Sequence, residues 1–193
     1  MSAKHVSPLL DAAVEIQDFC EQRRWPFCFI GGIAVQQWGE SRVTKYTDLT
    51  VFTGLGAEAG FIDALLAAFS SRIPEAREFA LRNRVLLLFA SNGKPIDVSL
   101  GALPFEHKVV SEAKLQELAP GFKLQLCSAV ALVVFKVFAG RPRDWQDVEG
   151  IIAKSGKLID WPSVRRDLND HLTLKEDSES PPRLEKLLAD YSR

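Results

Sequence analysis

Phe27-Cys28-Phe29-Ile30-Gly31-Gly32-Ile33-Ala34-Val35 is the stretch on which the fold turns. Its first four residues are continuously apolar and rich in aromatic and β-branched side chains, and they are too few for a helix, so they read as a buried strand. Two glycines then give the chain freedom for a tight turn, and Ile33 to Trp38 follows with helical character. The reading is strand, glycine turn, helix.

Working outward, Ser7-Pro8 starts a helix, with serine placed to cap and proline tolerated at the first helical position; Leu9, Ala13, Ile16 and Cys20 recur at helical spacing towards Arg24. Downstream, Thr47 to Phe52 is β-prone, and Thr53-Gly54-Leu55-Gly56 ends it before a helix carrying Phe61, Ile62, Leu65, Leu66 and Phe69. Arg84 to Ala90 and Pro95 to Leu100 flank Ser91-Asn92-Gly93-Lys94, whose Asn-Gly pair suits the positive φ angles of a two-residue hairpin turn, so these strands are expected to be antiparallel. The segment from Pro104 to Gly121 carries no clear period. Beyond it come a strand at Phe122 to Cys127 and an almost wholly apolar helix, Ser128 to Ala139, interrupted by Lys136. Further helices are expected at Asp144 to Lys154, after Trp161-Pro162 and after Pro181-Pro182, with a polar loop over Lys175 to Ser180. The fold class is α+β: a mixed sheet with flanking helices over residues 1–127, then a helical part over 128–193.

Composition narrows the function. A chain of 193 residues, 47% hydrophobic and with a formal net charge of -1, can bury a sizeable core and does not present a generally basic surface for nucleic acid. No apolar run reaches the ~20 residues of a membrane span, and Met1 to Ser7 lacks the apolar stretch of a secretory signal, so a cytoplasmic protein with no membrane partner is expected. Cys20, Cys28 and Cys127 have neither disulfide nor zinc spacing and read as reduced core residues. His5, His107 and His171 are too scattered for a metal site.

The chemistry-bearing candidates lie around the glycine turn. Gly31-Gly32 at a helix start would let a phosphate approach free amides, or would simply be a turn packed on the sheet. Asp48 sits in the next strand and Asp97 in the second hairpin arm, where Ile96, Val98 and Leu100 face one side and Asp97 and Ser99 the other. A carboxylate in an apolar strand needs a partner: Mg²⁺, which takes hard oxygen ligands, or an arginine such as Arg42 or Arg84. Lys136, a lone ammonium in an apolar helix, needs an anion or must reach out to solvent. Asp144 and Asp147 share a helix face, where one could act as a base or pair with Arg141 or Arg143.

The order of these pieces resembles a known family. Phe29-Ile30-Gly31-Gly32-Ile33-Ala34-Val35, Trp38-Gly39, Arg42, Thr44, Asp48, Ile96-Asp97, Ser128, Lys136, Ala139-Gly140-Arg141 and Arg143-Asp144-Trp145-Gln146-Asp147 are similar to the signature of bacterial nucleotidyltransferases related to the abortive-infection (type IV toxin-antitoxin) toxins, from about Leu9 to about Leu188. The resemblance implies a minimal polymerase-β-like nucleotidyltransferase core that moves a nucleoside monophosphate from a nucleoside triphosphate to an acceptor hydroxyl, on RNA or protein, using Mg²⁺ or Mn²⁺. It implies Asp48 and Asp97 as metal ligands and catalytic acids, and Asp144 as a further catalytic candidate. Gly31, Gly32, Arg42, Thr44, Lys136, Arg141 and Asp147 would contact substrate, and an antitoxin-like partner is implied. The pattern breaks at Tyr46, where the family carries the first acid of Asp-x-Asp. A phenol with a pKa near ~10 is neutral at pH 7 and a poor Mg²⁺ ligand. Two outcomes stay open: transfer with reduced activity, or a catalytically inactive protein that binds nucleotide or a partner. A second break, Val130-Ala131 in place of Glu-Asp, removes the reciprocal half of a capping box and leaves Ser128 to cap alone.

Overall fold

The structure, a computed structural model, describes residues 7–191; His5 and the first six residues lie outside them. Among the described residues, 7–33 with 43–127 form one compact unit and 34–42 with 128–191 a second.

The first unit is built on a seven-stranded mixed sheet. Its strands are β1 (Phe27–Phe29), β2 (Thr47–Phe52), β3 (Ser70–Ser71), β4 (Val85–Phe89), β5 (Pro95–Gly101), β6 (Lys114–Ala119) and β7 (Phe122–Leu126), in the order β3-β4-β5-β2-β1-β7-β6. β2 runs parallel to β5 and β1 parallel to β7; the other neighbours are antiparallel. Helix α1 (Pro8–Gln22) packs on β2, β5 and β7. It buries Ala12, Ala13, Ile16 and Cys20 in a cluster with Leu49, Val51, Ile96, Val98, Leu124 and Leu126. Each large side chain fully buried there stabilises by about 2 kcal/mol. Helices α3 (Glu58–Ala68), α4 (Ala76–Asn83) and α5 (Pro104–Ser111) complete the unit.

α2 (Gly31–Trp38) opens in the first unit and continues into the second, which otherwise contains α6 (Ala129–Ala139), α7 (Pro142–Ser155), α8 (Trp161–Lys175) and α9 (Ser180–Tyr191). α6 packs against α7 and α8, because an almost all-apolar helix must be covered on several sides. Ser128 accepts the Ala131 amide at 3.1 Å and caps α6 without a reciprocal acid, as Val130-Ala131 implies. The 34–42 segment is tied to α7 by Ser155 Oγ donating to the Trp38 carbonyl at 2.6 Å and by close approach of Gly39 to Ile151.

Three local expectations are corrected. Ser7 precedes α1, but its side chain makes no capping hydrogen bond; Pro8 and the Ser7 carbonyl, which accepts from Leu10, set the helix start instead. α2 begins at Gly31 rather than Ile33. In the β4–β5 hairpin only Gly93 has a positive φ, +76°; Gly93 donates to the Ala90 carbonyl, and Ala90 pairs with Lys94, giving a three-residue loop rather than a two-residue one.

Candidate functional site

The site residues in the first unit are gathered by one lateral row of the sheet. Parallel pairing sets Asp48 of β2 opposite Asp97 of β5, so the two carboxylates leave the same face of strands about 4.8 Å apart. Antiparallel pairing sets Asp97 opposite Leu87 of β4, and the Leu87 carbonyl accepts from the Arg72 amide at 3.0 Å. On the other side, the Asp48 carbonyl accepts from Ile30, which places the Gly31-Gly32 turn beside the Asp48 side chain. Apolar neighbours Leu49 and Val98 point into the core; Asp48 and Asp97 are left half-buried on the opposite side.

The glycines are required by this packing. Gly31 sits at φ +57°, and a Cβ there would lie 2.3 Å from Asp48 Oδ2; a Cβ on Gly32 would lie 2.4 Å from Thr44 Oγ1. Gly32 N donates to Asp48 Oδ2 at 3.4 Å, so Asp48 occupies the amide-rich start of α2. Thr44 Oγ1 also donates to the Tyr46 carbonyl at 3.3 Å.

Asp97 has a partner that sequence reasoning missed. Arg72 Nη1 lies 2.9 Å from Asp97 Oδ1, and the same guanidinium lies 5.4 Å from the centroid of the Tyr46 ring. Burial pushes the Asp97 carboxyl above its ordinary value, and the nearby Arg72 charge only partly offsets that. The arginines weighed from sequence are engaged elsewhere: Arg84 with Glu58 and the Leu100 and Gly54 carbonyls, and Arg42 with Asp147. No sequence period marks Arg72, which directly follows the two-residue β3.

In the second unit, Asp144 and Asp147 of α7 are buried and share a cation. Lys136 Nζ lies 2.8 Å from Asp144 Oδ1 and 2.8 Å from Asp147 Oδ2. Arg42 grips Asp147 through Nε at 2.5 Å and Nη2 at 2.7 Å, a two-pronged contact. Arg141 Nε approaches Asp144 Oδ2 at 3.4 Å with a largely exposed side chain. Burial raises the Asp147 carboxyl, but hydrogen bonds from Arg42 and Lys136 outweigh it and hold the group below the usual carboxylate value. The anion that Lys136 required is thus a pair of carboxylates on the next helix.

The remaining titratable candidates lie apart from these clusters. Cys20 and Cys28 are buried, and burial pushes both thiols up to about 12; Cys127 is buried as well, and none of the three is in a disulfide. The His107 ring packs edge-on against Phe52, and His171 Nδ1 sits 2.6 Å from the Asp167 carbonyl. Among the described residues no helix is long and apolar enough to cross a membrane.

The residues present fit poorly the metal grip that the sequence resemblance implies. Asp48 and Asp97 stand side by side, and Tyr46, where the resemblance implies a third acid, is 45% exposed and lies against Arg72. Asp97 already has a cation, and Asp48 is directed at the Gly32 amide. No group of three or more His, Cys, Asp or Glu that could hold a metal ion occurs among the described residues.

No protein-family model matches the chain, and comparison with curated proteins returns no match. Solved structures do match. An antigenic nucleotidyltransferase-like protein from Paracoccidioides brasiliensis superposes with a TM-score of 0.52 at 13% identity, over 94% of this chain and 92% of that one. The antibiotic-resistance factor ANT(2")-Ia, in complex with adenylyl-2"-tobramycin, gives 0.49 at 16% identity, over 96% and 98%. A lincomycin-bound lincosamide antibiotic adenylyltransferase gives 0.49 at 13% identity, over 78% and 99%. At such identities the first of these likenesses speaks for the fold: the chain has a nucleotidyltransferase fold, a mixed sheet with flanking helices.

Proposed function

We propose that this chain binds a nucleoside triphosphate within a nucleotidyltransferase fold and that metal-dependent transfer has been lost. The observation that carries the reading is the set of partners around the two acids: Tyr46 in place of a carboxylate, Arg72 on Asp97, and the Gly32 amide on Asp48. Mg²⁺ is held by carboxylates that remain available to it and to substrate phosphates. Here the acids are fewer, and each is turned to a neighbour in the chain. The nucleotide half of the proposal rests on the fold and on the Gly31-Gly32 turn at a helix start, a setting suited to phosphate oxygens. Gly31, Gly32 and Thr44 are the proposed contacts in the first unit. Arg42, Lys136, Arg141, Asp144 and Asp147 form a mutually paired cluster in the second, and their role in this reading is to hold that unit's shape. The sequence's lack of a long apolar run and of a secretory stretch adds a cytoplasmic setting to the proposal, and the family resemblance adds an antitoxin-like partner.

A second reading keeps the transfer of a nucleoside monophosphate to an RNA or protein hydroxyl with Mg²⁺ or Mn²⁺. It is favoured by one observation, the side-by-side register of Asp48 and Asp97. Calorimetric titration of the chain with each nucleoside triphosphate, with product analysis of the same samples, tests the proposal. Saturable binding with the triphosphate recovered intact supports it. Absence of binding to all of them overturns it.

A further inference from the structure

An open pocket of about 510 Å³ lies beside Tyr46, within the first unit. Pro8, Thr44, Lys45, Tyr46, Lys94 and Pro95 are among its lining residues. It has the size of a small-ligand site and the mixture such sites use: an aromatic ring, apolar proline surface and a few charged groups. Lys45 is exposed and Lys94 half-exposed, so both ammonium groups are accessible to a ligand there. The Tyr46 ring that helps to line this pocket is also the ring against which the Arg72 guanidinium rests.

We infer that this pocket, with Lys45, Lys94 and the neighbouring Arg72 as its fixed cations, is the seat of a nucleoside triphosphate taken up free of metal. The inference rests on the nucleotide-binding reading above and deepens it. A three-acid site would hold a charge of about -3 that only a multivalent cation could offset, so nucleotide and metal would enter together. In this chain the loss of an acid at Tyr46 and the presence of Arg72 change the balance. Asp97 is matched by Arg72, and the charged residues that line the pocket itself are Lys45 and Lys94, two positive charges.

Arg72 is well placed for a permanent role. Its amide is held by the Leu87 carbonyl, and the turn after it is pinned by Ser71 Oγ, which donates to the Ile73 carbonyl at 2.5 Å and accepts from the Ile73 amide at 3.1 Å. A guanidinium presents five donors in a planar fork that matches phosphate oxygens, and the contact with Asp97 is made at one of its nitrogens. It neutralises charge but has no coordination position at which to activate an acceptor hydroxyl, so binding without turnover is the expected behaviour. The Tyr46 ring offers a stacking surface for a base, which every nucleobase can use. Bound Mg²⁺ cancels much of the triphosphate charge and adds a hydration shell, so a pocket of fixed cations prefers the bare anion.

The test is calorimetric titration of the full chain with ATP in EDTA and in excess Mg²⁺, for the natural protein, the Lys45→Ala/Lys94→Ala double variant, Arg72→Gln and Arg72→Lys. Expected are tighter binding in EDTA than in Mg²⁺, a loss of about tenfold in the lysine double variant and in Arg72→Gln, and partial recovery in Arg72→Lys. Affinity in EDTA should also fall with added salt. The lysine variant alters accessible side chains, so it keeps the test decisive if Arg72→Gln fails to fold. Binding that requires Mg²⁺ and is unchanged in the lysine variant overturns the inference while leaving nucleotide binding intact. Absence of binding under both conditions overturns the nucleotide-binding reading itself.

Discussion

Replacing Asp147 by asparagine should destabilise the protein by about 3 kcal/mol at pH 7. Asp147 is 4% exposed and accepts three charged contacts, two from Arg42 at 2.5 and 2.7 Å and one from Lys136 at 2.8 Å. Asparagine keeps the shape but withdraws the charge and turns an amide donor towards two cations. Breaking a buried ion pair from one side costs roughly 3–5 kcal/mol, and the lower end applies because Lys136 retains Asp144 at 2.8 Å. For a chain of this size that corresponds to a melting temperature lower by about 6–12 °C. Urea and thermal melts followed by far-ultraviolet circular dichroism measure it. The pH dependence supplies a second check. Asp147 is held below its unfolded value of about 3.9, so its contribution is fully present above that pH and is lost as pH falls through the lower folded value. The difference between natural protein and variant should therefore shrink on acidification below about pH 4. A variant within about 0.5 kcal/mol of the natural protein at pH 7, or a deficit that persists unchanged into acid, would refute the claim that this cluster is a buried, charge-driven brace.

Gly31→Ala should cost about 2 kcal/mol or more, since its Cβ would sit 2.3 Å from Asp48 Oδ2 at a φ of +57°; a urea midpoint equal to the natural protein's would sink the packing argument. Asp97 should show the opposite pH trend to Asp147: its carboxyl is raised, so its contribution is greatest below the unfolded value of about 3.9 and is lost as pH rises through the folded value. Asp97→Asn should remove that decline, and an unaltered pH–stability slope over that window would argue against it. Cys20 and Cys28, with thiols pushed up to about 12, should react with Ellman's reagent at pH 8 only after unfolding; fast labelling of the native chain would contradict their burial.

The parts of the fold legible in sequence are those where burial follows a strict period. β5 alternates between buried and half-buried positions, and Ile96, Val98 and Leu100 mark the core side while Asp97 marks the other. β1 is buried at all three positions and ends at glycines, and α6 is apolar on nearly every face. β3, α4, α5 and β6 escaped the reading for the opposite reason. β3 has two residues, too few for a period, and β6 is an edge strand with no buried position, so no alternation of hydrophobicity is imposed on it. α5 starts at Pro104, and Glu106 accepts the Ala102 and Leu103 amides at 2.8 and 2.9 Å, a local cap without a serine or threonine to announce it.

The site divides along the same line. That Asp97 and Lys136 each need a partner follows from charge in apolar surroundings and could be read in advance. Which partner each finds depends on strand register and helix packing: Arg72 reaches Asp97 through the β3–β4–β5 order, and Arg42 reaches Asp147 across 105 positions of sequence. Tyr46 was visible as a substitution, but its contact with Arg72 depends on β3 lying at that end of the sheet.

The most direct measurement of the central claim is transfer of label from α-labelled nucleoside triphosphates with Mg²⁺ or Mn²⁺, offered mixed RNA and the protein itself, for the natural chain, Tyr46→Asp and Asp48→Ala. No metal-dependent transfer by the natural chain is expected, with any recovered activity confined to Tyr46→Asp. Transfer by the natural chain that requires metal and disappears in Asp48→Ala would contradict it and establish a working metal site despite Tyr46.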